Sequence, residues 1–202
     1  TTHLSPLTLT LTLTLTQTRG WLEPCAVVKA CAYFGMELIK APLDPTTMRL
    51  TARAVQPLLT RRTVAIYASA PCFSFGAVDE IESLGRLAQR RGIGLHVDCC
   101  LGGVLLSFMQ REGLFTRPWD FHVAGVTTIS VDLHKYGYAS KGASVTAFRD
   151  PALRRALSDL DPTQPRPTHP HCLQPMNPNI CLQSTNPAVR ELHPTPSPSP
   201  YA

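Results

Sequence analysis

Three short segments of this 202-residue chain pair reactive residue types with the end of a predicted strand. The first is Ser69, followed by Ala70-Pro71; the second is His96-Val97-Asp98; the third is Asp132-Leu133-His134-Lys135. Taken singly, each has an ordinary explanation. An aspartate ending a buried strand can cap the next helix or turn, and a lone lysine after a strand is usually a solvated surface residue. Taken together, an amine and a carboxylate facing one crevice suit pyridoxal phosphate. That cofactor needs a lysine amine for its Schiff base and a carboxylate to keep its pyridine nitrogen protonated, so that the ring acts as an electron sink. In this arrangement Asp98 meets the ring nitrogen and Lys135 the aldehyde carbon. His134 bonds the cofactor phosphate or the substrate, Ser69 bonds the ring oxygen or the phosphate, and His96 is counted with the cofactor-binding set.

The elements that must position these groups alternate between strand and helix patterns. TVAIYASA is a continuous apolar run that stops at Pro71, as a buried parallel strand would. In EIESLGRLAQRR, residues Ile81, Leu84, Leu87 and Ala88 share one helical face, with Asp79 as the expected cap and Gly92 as the stop. IGLHVD then reads as the next strand, completing a βαβ unit with parallel strands. A helix from Gly103 to Glu112, a loop through Pro118, the strand TTISVD, the tight segment LHKYGYASKG and the strand ASVTAFR follow. Upstream, CAVVKACAYFG has helical spacing, MELIKAPLD contains a short strand, and a second helix is expected across Thr46 to Leu59, limited by Pro57. This alternation predicts an α/β layer protein, in which ligands bind at the carboxyl ends of the strands. That rule selects the three segments above.

Composition restricts the remaining choices. Of 19 prolines, seven lie in positions 1 to 150 and twelve in positions 151 to 202, a density that a packed domain does not absorb. The net charge of +5, from 19 basic and 14 acidic residues, forms no long stripe, which argues against nucleic acid as a partner. Seven cysteines include no pair at two-residue metal spacing, and the loose cluster His169, His171 and Cys172 sits in a Pro-rich tail, so no metal site is expected. No apolar run reaches membrane-helix length. Residues 7 to 16, LTLTLTLTLT, have the alternation of a strand but read as low complexity, and no function is assigned to them.

Residues 25 to about 157 resemble sphingosine-1-phosphate lyase, a pyridoxal-phosphate enzyme related to the group II decarboxylases. The resemblance rests on KACAYFGMELIKAPL, SAPCFSFGAVDEI, LHVDCCLGG and above all DFHVAGVTTISVDLHKYGYASKGAS. It implies the central part of the large domain of fold type I, mostly parallel sheet with helices on both faces, and incomplete. Three parts are expected: a low-complexity segment over 1–24, a partial cofactor-binding domain over 25–157, and a Pro-rich disordered tail over 158–202.

The implied activity is retro-aldol cleavage of a phosphorylated sphingoid base, giving a long-chain aldehyde and phosphoethanolamine. Lys135 is the implied catalytic residue, Lys141 helps hold the substrate phosphate, and Tyr136 and Tyr138 line the channel or pack the strand end. Cys99 stands where the family has a small alanine near the cofactor ring. The family works as a homodimer on the cytosolic face of the endoplasmic reticulum membrane, attached through a segment expected to be absent here. Two alternatives stand beside this reading: an amino-acid decarboxylase of the same superfamily, and an inactive fragment or flawed gene model.

Overall fold

The computed structural model describes residues 10–13, 25–158 and 181–184. In chain order the elements are β1 (Thr10–Leu13), α1 (Cys25–Tyr33), β2 (Glu37–Ile39), α2 (Ala52–Val55) with a 3-10 turn (Gln56–Leu58), β3 (Thr63–Ser69), α3 (Ile81–Arg91) and β4 (Gly94–Asp98). They continue with α4 (Gly103–Arg111), β5 (Thr128–Asp132), β6 (Ser144–Phe148), α5 (Pro151–Ser158) and β7 (Cys181–Ser184). The strands form one sheet in the order β2-β1-β3-β4-β5-β6-β7. Pairings from β2 through β5 are parallel, and β6 and β7 add on in antiparallel sense.

Alternation along the central strands assigns their two faces. Ile66, Ala68, Leu95 and Val97 are fully buried and pack with Leu84, Leu87 and Ala88 of α3 and with Leu106 of α4. Tyr67 points the other way, into a smaller cluster with Val27 and Cys31 of α1, Met36 and Leu38. Helices therefore cover both faces, as a mostly parallel sheet requires. Helix α3 ends as expected, with Gly92 in the left-handed region (φ 63°, ψ 35°) and its N–H returned to the carbonyls of Ala88 and Gln89.

Helix α3 also sits against the chain leading into β5. A Cβ on Gly125 would lie 2.1 Å from the Gly85 carbonyl oxygen, so the helix and this loop touch backbone to backbone. Arg149 holds the same loop from the far side, donating from Nε to Val126 O (2.6 Å) and from Nη2 to Phe121 O (2.6 Å) and Val123 O (2.8 Å).

Several expectations change. The helix expected over Thr46 to Leu59 is confined to Ala52–Val55 and the 3-10 turn. Asp44 Oδ1 instead accepts from the N–H groups of Thr46 (3.1 Å) and Thr47 (2.7 Å) and from the Thr47 hydroxyl (2.9 Å), which makes a turn of this stretch. Thr51 then starts α2 by capping the Ala54 N–H. Asp79 does not cap α3. Its oxygens accept from Leu50 N and Ser69 N, each at 2.7 Å, tying the end of β3 to the preceding loop.

The leucine-threonine repeat contributes Thr10–Leu13 as a strand between β2 and β3. Cys181–Ser184 of the Pro-rich tail forms the edge strand β7. The rest of both terminal segments, including His169, His171 and Cys172, lies outside the described residues.

Candidate active site

The parallel register places the expected groups side by side. Ser69 pairs with Asp98 and Asp98 with Ser130, while one step back Tyr67 pairs with His96 and His96 with Thr128. Because side chains alternate along a strand, these six all project from the face that carries α1. The result is a polar strip across β3, β4 and β5 that ends at the carboxyl edge of the sheet.

Asp98 is the centre of this strip. Its Oδ1 accepts from the Cys100 N–H (2.9 Å) and the Ser130 hydroxyl (3.2 Å), and its Oδ2 accepts from the Tyr67 hydroxyl. Burial by itself raises the Asp98 pKa, but the Tyr67 hydroxyl, the Cys100 contacts and His96 outweigh it and hold the carboxyl below the ordinary range. The Tyr67 phenol is pushed far up, first by burial and then by the Asp98 charge, so it remains a donor.

Ser130 gives its proton to Asp98, so its oxygen accepts from His96 Nε2 at 3.2 Å. The Nδ1 of His96 then accepts from the Thr128 hydroxyl at 2.8 Å. This fixes the tautomer with the proton on Nε2, and burial, the largest influence, lowers the His96 pKa and favours the neutral ring. His96 thus supports Asp98 through Ser130 and packs on Tyr67, with ring centroids 4.9 Å apart.

Lys135 reaches the same edge from the segment after β5. Its Nζ pairs with Asp132 Oδ2 at 3.0 Å, and Asp132 Oδ1 in turn accepts from the Ser144 hydroxyl at 2.5 Å. Burial disfavours the ammonium, but hydrogen bonding to the Cys100 thiol and the Asp132 carboxylate reverses this and raises the Lys135 pKa. The backbone coils tightly around the lysine: Lys135 N bonds Asp132 O, Tyr138 N bonds Lys135 O and Ala139 N bonds Leu133 O. This coil requires Tyr138 at φ 51° and leaves no room at Gly137, where a Cβ would lie 2.6 Å from Leu133 O. His134 donates from Nδ1 to Ala143 O at 2.8 Å, and its Nε2 lies 3.9 Å from Asp132 Oδ2.

Of the expected site residues, Asp98, His96, Ser69, His134 and Lys135 collect at this edge. Tyr136 and Lys141 are exposed in the loop beside it. Cys99 does not join them. It continues the Leu95–Val97 face, is fully buried in the core, and would sit 2.8 Å from a Cβ on Gly103. Cys100 is the cysteine at the crevice, with its N–H on Asp98. Sequence reasoning also missed Tyr67, Thr128 and Ser130, although the period-2 alternation of the three strands contains the signal for them, and it named Asp132 with its segment without giving it a role.

A carboxylate offers about four acceptor positions, and three of those on Asp98 are occupied by Tyr67, Cys100 and Ser130. An ionised carboxylate and a lysine amine at one edge of the sheet fit a protonated pyridine nitrogen and its aldehyde.

This combination of sheet, helices and paired amine and carboxylate defines a fold-type-I pyridoxal-phosphate domain in its central part. The family described as "Pyridoxal-dependent decarboxylase conserved domain" matches residues 23–163, and the chain belongs to that family, whose cofactor is pyridoxal phosphate. Sphingosine-1-phosphate lyase of Saccharomyces cerevisiae is 46% identical over 127 residues, covering 62% of this chain and 22% of the yeast protein. The solved sphingosine-1-phosphate lyase of Burkholderia pseudomallei is 37% identical with a TM-score of 0.65, over 72% of this chain and 32% of that one. Glutamate decarboxylase of Lactobacillus brevis shares the fold at 22% identity and a TM-score of 0.53, over 64% of this chain and 29% of its own. The chain therefore spans less than a third of the length of these relatives. Among the described residues no helix is long and apolar enough to cross a membrane.

Proposed function

We propose that this chain carries the cofactor-binding core of a pyridoxal-phosphate carbon-carbon lyase acting on phosphorylated sphingoid bases. The observation that carries the reading is the 46% identity over 127 residues to the yeast sphingosine-1-phosphate lyase. The cofactor domain is assigned to residues 25–157.

Bound pyridoxal phosphate supplies the electron sink for the pair released when the bond between the second and third carbons of the substrate breaks. Asp98 holds a proton at the pyridine nitrogen, and its low pKa keeps it charged for that task. Tyr67 and the His96–Ser130 pair hold the carboxylate in place. Lys135 Nζ attaches the cofactor and is aimed by Asp132. His134 Nε2 and the Ser69 hydroxyl present polar atoms at the crevice, and exposed Lys141 and Tyr136 flank its mouth, where a cation suits a substrate phosphate. A homodimer on the cytosolic face of the endoplasmic reticulum membrane belongs to the same reading, on resemblance alone.

The test is a comparison of substrates with the chain supplied with pyridoxal phosphate. Phosphoethanolamine released from a phosphorylated sphingoid base supports the proposal. Carbon dioxide released from an amino acid favours the decarboxylase alternative, and release of neither product overturns the assigned activity for this chain.

A further inference from the structure

Basic residues collect at the end of the sheet opposite the catalytic edge. No Asp or Glu occurs between residues 51 and 78 or between 83 and 97, while Arg53, Arg61, Arg90 and Arg91 fall in those stretches, all exposed. Topology brings them to one end. Helix α2 and its 3-10 turn lead into the start of β3, α3 leads into the start of β4, and those strands are parallel neighbours. Where the two helical segments meet lies an open hollow of about 610 Å³, lined by Ala52, Arg53, Gln56, Pro57, Leu59 and Arg91. No carboxylate is among the lining residues, and none of the four arginines is ion-paired among the described residues. Glu37, which starts β2, is separated from β3 by β1. The dipole of α3 accounts for Arg90 and Arg91 in its last turn. It does not account for Arg53, which a different element carries to the same hollow against charge repulsion. The hollow at the other end of α3 differs, because Arg49, Arg86 and Arg117 there meet Asp79, Glu80 and Glu82.

We propose that the hollow lined by Arg53 and Arg91 is a second anion site, taking a phosphate monoester that carries an apolar substituent. Two guanidinium groups from separate elements match the charge of a phosphate dianion, and each offers it paired N–H donors. The Gln56 amide is a further donor. Ala52, Pro57 and Leu59 supply apolar wall for the substituent, and the volume lies within the ~300–1,000 Å³ of small-molecule sites. A phosphate bound there relieves the repulsion between Arg53 and Arg91. The site is separate from the cofactor. Strand β3 runs seven residues from Thr63 to Ser69, so about 20 Å of strand divides the hollow from the edge that holds Asp98 and Lys135. Binding here therefore uses neither the cofactor residues nor Lys141.

The test treats the full chain with phenylglyoxal, which modifies accessible arginines, in phosphate-free buffer and maps the modified peptides by mass spectrometry. Hexyl phosphate, at about ten times its half-protecting concentration, is expected to slow modification of Arg53 and Arg91 about tenfold. Arg111, exposed at the end of α4 beside Glu112, keeps its rate. Inorganic phosphate protects the same two arginines only at higher concentration, since it has nothing to place on the apolar wall. Arg53→Gln and Arg91→Gln are surface changes, and each raises the hexyl phosphate concentration that protects the remaining arginine about tenfold. Phosphatidylcholine vesicles containing phosphatidic acid separate the two sources of such an ester. If they protect Arg53 and Arg91 as well, the site takes a lipid headgroup; if hexyl phosphate alone protects, it takes a soluble ester. Absence of protection by hexyl phosphate, or equal protection of Arg111, overturns the proposal. So does hexyl phosphate that protects no better than inorganic phosphate, because the apolar wall would then have no part in binding.

Discussion

Tyr67 donates its hydroxyl proton to the Asp98 carboxylate across the β3–β4 pair, and this bond contributes to keeping a largely buried acid ionised. Tyr67→Phe removes the donor and keeps the ring against His96. The expected result is weaker cofactor binding by about tenfold, the equivalent of one ordinary hydrogen bond, measured by titration with pyridoxal phosphate. The acid limb of stability moves with it. A depressed carboxyl stabilises the native state above the unfolded value of 3.8, and this is lost as pH falls through the folded pKa. Acid unfolding of Tyr67→Phe, followed by tryptophan fluorescence, should therefore begin at higher pH than in the wild type.

Asp79 titrates in the opposite sense. Burial raises its pKa from 3.8 to about 6 despite the two backbone N–H groups it accepts. A raised carboxyl favours the native state below the unfolded value, and that advantage is lost as pH rises through the window from 3.8 to about 6. Asp79→Asn removes this slope from the stability curve measured by urea unfolding. It also leaves one of the two N–H groups without an acceptor, at a cost of ~1–3 kcal/mol.

The loop from Phe121 to Val126 is gripped by Arg149 on one side and by Gly85 on the other. Gly125→Ala forces its Cβ onto the Gly85 carbonyl and should destabilise by ~1–3 kcal/mol in denaturant unfolding. Arg149→Met orphans the Phe121 and Val126 carbonyls, while Val123 O keeps the Val126 N–H, at ~2–4 kcal/mol. Since both act on one loop, the double variant should lose less than the sum of the two, a coupling that the double-mutant cycle reads directly.

The tight coil after β5 sets the position of Lys135. Gly137→Ala places a methyl against Leu133 O and should displace the lysine while leaving the core intact. The expected signature is a loss of cofactor attachment of about tenfold or more with little change in thermal midpoint.

The placement of Asp98 and Lys135 at one sheet edge was legible in the sequence because Asp98 and Asp132 stand out as polar residues ending apolar runs, and because strands alternating with helices send such ends to one edge. Gly92 was legible for a similar reason, since a glycine after a periodic helix has one common use. Tyr67 was not, because inside TVAIYAS a tyrosine looks like any strand former. Strict alternation past Asp98 would have sent Cys99 to the core and Cys100 to the crevice; comparison of residue types hid that, because both positions hold cysteine. Asp79 misled because capping is local, whereas its partners Leu50 and Ser69 are brought to it by the fold. The strands Thr10–Leu13 and Cys181–Ser184 depend on pairing with distant segments, which periodicity within a short stretch does not encode.

The central claim is that Lys135 attaches the cofactor opposite Asp98. Borohydride reduction of the chain with pyridoxal phosphate, followed by peptide mapping, tests it most directly. The account predicts a pyridoxyl group on Lys135, lost in Lys135→Ala and weakened in Asp98→Asn. A pyridoxyl group on Lys141, Lys40 or Lys29 in its place, or no adduct at Lys135, would contradict it.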